Sequence, residues 1–120
     1  MRKYIIISTS NDLVRIAPDK VVYISSDGNY STLIQSDGDA RLITFQLGRI
    51  ERLIADQLGS NSNMFIRIGK CLIVNRNYIY YINISKQLLI LSDINSSKLT
   101  VSASKEALKQ LKALLENEIK

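Results

Sequence analysis

Polar and apolar positions alternate in short β-branched runs over most of this chain, and the alternation gives way to helical spacing twice, once mid-chain and once at the C-terminus. From Lys20 to Thr44 the extended runs are separated by tight-turn signals. Val21 to Ser26 predicts one strand, Tyr30 to Gln35 a second and Ala40 to Thr44 a third, a β-meander joined by Asp27-Gly28 and Asp37-Gly38. Asp-Gly supports the positive φ angles of short hairpin turns. Asp12 to Ile16 predicts a further strand ahead of Pro18, which interrupts the run.

Leu47, Ile50, Leu53, Ile54 and Leu58 then recur at the spacing of one helix face, with Thr44 a candidate N-cap and Gly59 the stop. Beyond a short polar loop, residues 64–68, 71–74, 78–84, 87–91 and 98–102 predict short strands, read as a second antiparallel unit. Ser104 is placed to cap a last helix whose apolar face is Ala107, Leu108, Leu111, Leu114 and Leu115, with Lys105, Lys109 and Lys112 elsewhere on its surface. The fold class expected is mainly β, with a short mid-chain helix and a C-terminal helix.

A chain of 120 residues suits one folded domain with a single core. Charge adds a direction to that picture. The formal net charge is +5, yet residues 1–64 carry seven basic and seven acidic groups, while residues 65–120 carry nine basic and four acidic. A basic excess confined to one half suits a polyanionic partner, since Lys and Arg contacts to phosphate release counterions.

Several chemistries are excluded. The chain has no histidine, which removes the commonest general base and metal ligand and any Ser-His or Cys-His nucleophilic pair, so no enzymatic role and no cofactor are expected. The lone Cys71 lies within an apolar strand signal and reads as a buried structural residue. Asp27, Asp37 and Asp39 stand beside glycines as turn formers. The apolar run near the N-terminus ends at Ile7, too short for a signal-peptide core or a membrane span, and a single cysteine fits a reducing compartment, so a cytoplasmic, membrane-free location is expected.

The most specific motif is residues 65–75, Phe-Ile-Arg-Ile-Gly-Lys-Cys-Leu-Ile-Val-Asn. With Val21 to Ser26 upstream and Leu99-Thr100-Val101-Ser102 downstream, it resembles the LytTR family of bacterial transcription regulators, in which a segment of the form F-x-R-x-H-x-x-x-x-V-N is central. The resemblance covers roughly Ala17 to Leu115. It implies an elongated arrangement of small antiparallel sheets whose inter-strand loops, rather than a recognition helix, enter the major groove of duplex DNA. Residues 17–120 would form the LytTR-like DNA-binding domain, and residues 1–16 an N-terminal extension or strand.

By that resemblance the contacts fall on three loops: Gly28, Asn29, Tyr30 and Ser31; Gly69, Lys70 and Cys71, with Arg67 just before them; and Ala103, Ser104 and Lys105. Chemistry supports several of these. Asn29 can pair with adenine, Lys70 can donate to guanine or phosphate, and Lys105 at a helix start can reach a phosphate. Arg67 alternates with Ile66 and Ile68, so it points to the wetter face of its strand, to meet phosphate or an acid. Asn75 is expected to hold a turn. Tyr78, Tyr80 and Tyr81 could stack on single-stranded bases, but core packing on a pleated surface is expected of them.

The chain departs from the family pattern at two contact loops. Gly69 stands where histidine is typical, and Ala103 where arginine often follows Val-Ser. Neither side chain can donate a hydrogen bond. The function the resemblance implies is sequence-specific duplex DNA binding as a homodimer on repeated half-sites, with a sensor or receiver protein as a further partner. The alternative is a LytTR-like scaffold serving as a protein-interaction or signalling module. Receiver domains accompany many family members, and none precedes Lys20, which implies a stand-alone regulator or a fragment of a larger one.

Overall fold

The computed structural model describes residues 3–92 and 98–119. The chain divides into two compact units, one ending at Arg76 and the other beginning at Asn77.

The first unit opens with a hairpin, β1 (Ile5–Ser8) against β2 (Leu13–Ile16). The N-terminal apolar run is thus a strand, with Ile5 and Ile7 fully buried and Ile6 facing out, the two-residue period of a half-buried strand. The outer edge of β1 is partly occupied by a side chain. Gln57 accepts from Ile6 N at 2.8 Å and donates to Ile6 O at 2.7 Å, supplying the pairing a neighbouring strand would give.

The meander follows as β3 (Val21–Ser26), β4 (Ser31–Gln35) and β5 (Ala40–Ile43). Helix α1 (Leu47–Leu58) comes next, then β6 (Phe65–Ile68) and β7 (Leu72–Asn75). These five strands form one antiparallel sheet in the order β5-β4-β3-β7-β6. The expectation that every strand after the helix belongs to a second unit is therefore corrected: β7 pairs with β3 in the register Ile24↔Ile73, and β6 closes that edge. The sheet gains because Ile73 and Val74 are buried there with Ile24, each buried Ile or Leu contributing about 1.5–3 kcal/mol.

Helix α1 buries Leu47, Ile50, Ile54 and Leu58 against β1, β3 and β7. It ends at Gly59, whose φ of 57° is a conformation L-residues avoid. Its start differs from the expectation. Gln46, not Thr44, is the N-cap, without a side-chain cap bond. Phe45 packs against the core, with the Arg49 guanidinium 3.8 Å over its ring, and packing rather than a hydroxyl fixes this entry.

The second unit is a three-stranded antiparallel sheet, ordered β10-β9-β8, of β8 (Ile79–Asn83), β9 (Leu88–Ser92) and β10 (Lys98–Ser102), followed by α2 (Lys105–Glu116). Leu89 and Leu91 are buried in the sheet, and Ala107, Leu108 and Leu111 on the helix. Ser104 caps α2 as expected, its Oγ accepting from Ala107 N at 3.1 Å. The apolar face of α2 is buried over its first two turns only: Leu114 is exposed and Leu115 half-buried.

Candidate nucleic-acid interface

Two turns of the first unit emerge side by side, because β3 and β7 are neighbours. Ser25 lies opposite Leu72, and one residue on, Ser26 N donates to Cys71 O at 2.8 Å. The β3–β4 turn and the β6–β7 turn therefore leave the same end of the sheet. In the first, Asp27 N donates to Tyr30 O at 3.1 Å and Gly28 takes a φ of 111°. In the second, Ile68 pairs with Leu72 across the three-residue loop Gly69, Lys70 and Cys71, and Gly69 adopts a φ of 60°. Glycine takes that left-handed angle without the strain a β-carbon would bring.

The candidate side chains of these turns divide by what they already hold. Asn29 is exposed, and its Oδ1 accepts from Gln46 Nε2 at 3.3 Å, which ties the turn to the residue that starts α1. Tyr30 is 48% exposed. Ser31 is only 1% exposed, and its Oγ donates to Phe45 O at 2.8 Å, so the hydroxyl faces the protein interior. Arg67 donates to Glu51 Oε1 from Nη1 at 2.8 Å, to Gly69 O from Nε at 3.0 Å and to Lys70 O from Nη2 at 3.1 Å. Of its two expected roles, the acid pair is the one formed here.

Lys70 and Cys71 are exposed at the tip of the second turn. The reading of Cys71 as a buried residue is corrected: strand pairing begins at Leu72, which leaves the thiol in the loop. Asn75 is fully buried and donates from Nδ2 to Val21 O at 2.9 Å and to Pro18 O at 3.5 Å, holding the turn at residues 18–20.

The third loop lies in the second unit. Ala103 N donates to Gln87 O at 3.3 Å, and Gln87 Nε2 donates to Ala103 O at 3.4 Å. The register Leu88↔Ser102 thereby sets the β8–β9 turn, with Lys86, beside Ser104 and Lys105. Among the described residues Lys70, Lys86 and Lys105 are exposed and have no carboxylate partner. Lys86 was not among the sequence candidates; it reads as a turn residue, and only the pairing of Gln87 with Ala103 brings its turn to the loop before α2. Gln46 was missed for the same reason.

The tyrosines correct another expectation. Tyr80 is 65% and Tyr81 43% exposed, so neither is a core residue. An irregularity between Ile79 and Tyr81 breaks the alternation that would have turned Tyr80 inward. Lys98 Nζ sits 5.0 Å from the Tyr80 ring, and the Tyr81 hydroxyl accepts from Asn83 Nδ2 at 3.0 Å.

One cleft, of about 160 Å³, lies between α1 and β6 and is lined by Glu51, Ile54, Phe65, Arg67 and Ile73 among others, its two charges paired with each other. No described helix is long and apolar enough to cross a membrane.

Comparison with known proteins agrees with the fold. No curated protein matches the chain significantly. Among solved structures, a "LytTr DNA-binding domain of putative methyl-accepting/DNA response regulator" from Bacillus cereus matches with a TM-score of 0.62 at 20% identity, covering 96% of this chain and 98% of that one. A family model described as the LytTr DNA-binding domain matches residues 11–116. With a family model matching most of its length and a solved domain of that family sharing its fold, the chain belongs to the LytTR family of DNA-binding domains.

Proposed function

We propose that this domain binds duplex DNA sequence-specifically as part of a cytoplasmic transcription regulator, presenting its inter-strand loops to the major groove and working as two copies on repeated half-sites. Family membership supports DNA as the partner. The observation that carries loop readout is the adjacency of the β3–β4 and β6–β7 turns, locked by the Ser26–Cys71 backbone bond. It groups exposed Asn29, Tyr30 and Lys70 at one end of a rigid sheet.

The roles divide by chemistry. Lys70, Lys86 and Lys105 hold phosphates, which gives affinity and register without sequence information. Asn29 and Tyr30 face base edges, where an amide's donor and acceptor suit adenine. Ser31 and Ser104 serve through the backbone, because their hydroxyls are committed to Phe45 O and Ala107 N. No catalytic step is proposed.

Selection on a randomised duplex library tests the reading. Enrichment of a motif repeated at fixed spacing is expected, the spacing giving the arrangement of the two copies. A second reading, a protein-docking module on the same scaffold, is favoured by Gly69 and Ala103, which leave two contact loops without donor side chains at those positions. It predicts weak, salt-sensitive binding with no enriched sequence.

A further inference from the structure

We infer that Arg67 is a positioning residue for the Gly69–Cys71 turn, not a DNA contact: Glu51 holds its guanidinium so that the remaining donors fix the turn's carbonyls. The inference rests on the proposed DNA reading for its consequence and on the free protein for its geometry. All three guanidinium nitrogens donate, one to a carboxylate on α1 and two to consecutive carbonyls of the turn. Within a short loop, two fixed carbonyls set the two peptide planes that flank the Lys70 α-carbon, and with them the direction in which its side chain leaves.

The turn needs such a brace. Gly69 has a φ of 60°, and glycine is the residue with the widest backbone freedom, so the loop that presents Lys70 contains a point about which it can rearrange. The brace reaches from outside the loop. Glu51 belongs to α1, whose Ile50 and Ile54 are anchored in the core, so the turn is referenced to the body of the unit. Charge makes the same case. The Arg67 side chain is 29% exposed and already neutralised by Glu51, whereas Lys70 has no such partner among the described residues. A phosphate would recruit the unpaired cation before displacing a carboxylate from the paired one. Lysine cannot take over the task, because an ammonium lacks the planar fork that bonds three directions at once.

The experiment compares Arg67→Lys, Arg67→Ala and Lys70→Ala in two measurements. The first uses the full chain without DNA: a nitroxide attached to Cys71, the single cysteine of the sequence, reports motion of the turn by electron paramagnetic resonance. Both Arg67 variants should mobilise the label, at unchanged far-ultraviolet circular dichroism, and Lys70→Ala should not. The second is a salt titration of unlabelled protein on the selected duplex. Arg67→Lys should weaken binding roughly tenfold, the effect of about 1.4 kcal/mol, with an unchanged slope of log affinity against log salt, whereas Lys70→Ala should lower that slope by about one.

A slope lowered by about one in Arg67→Ala but preserved in Arg67→Lys would make Arg67 a phosphate contact and overturn the inference. So would an immobile label in both Arg67 variants. If no duplex is bound even by the unaltered protein, the DNA reading fails while the label still decides whether Arg67 orders the turn.

Discussion

Asn75 shows how much one side chain can hold in this fold. It ends the motif strand β7, is fully buried, and reaches 54 residues back to donate to Val21 O, at the point where residues 18–20 turn into β3. Removing the amide would leave buried backbone carbonyls short of a donor, a cost of about 1–3 kcal/mol. Asn75→Ala should therefore lower the unfolding free energy by that amount, read as a lower urea midpoint at an unchanged m-value, which equilibrium unfolding followed by circular dichroism would check. Sequence identified Asn75 as a turn holder and Lys70 and Lys105 as exposed cations. It could not show that Ser31 turns its hydroxyl inward to Phe45, that Cys71 stays outside its strand, or that Arg67 is spent on Glu51 and the turn. Each depends on a neighbour many residues away.

At the scale of elements, the two helices are held by different means. Helix α2 has a side-chain cap at Ser104, whereas α1 relies on Phe45 and on burial of four apolar residues. Ser104→Ala should destabilise the second unit by about 1 kcal/mol, the usual cost of losing such a cap. Hydrogen exchange at the first turn of α2 would register the loss, with α1 unaffected. A protected α1 together with an unchanged α2 would show that packing, not the cap, secures α2. The strand boundaries and the helical periods were legible because they are local: alternation, Asp-Gly turns and a serine before an apolar stripe act within a few residues. Where a boundary moved, packing had overridden the local signal, as at Thr44 and at the irregularity that exposes Tyr80.

For the whole molecule, the basic excess of the second half becomes specific positions. Three lysines in two turns and one helix start are exposed and unpaired among the described residues. If each neutralises one phosphate, log affinity should fall with log salt at a slope of roughly −3 per bound copy, since each phosphate contributes about −0.9. A titration between low and physiological salt checks the count, and a slope near zero would remove phosphate contact from all three lysines. Sequence by itself determined the meander strands, the two helical segments, the absence of histidine chemistry and the family motif at residues 65–75, because propensity, turn chemistry and composition are written in contiguous residues. Tertiary structure alone decided that β7 lies against β3 and that two distant turns share one end of a sheet. It also decided which candidate side chains face outward. Strand partners and register are chosen by the burial of Ile24, Ile73 and the residues of α1 in one core, and that free energy depends on contacts between segments that no local window contains.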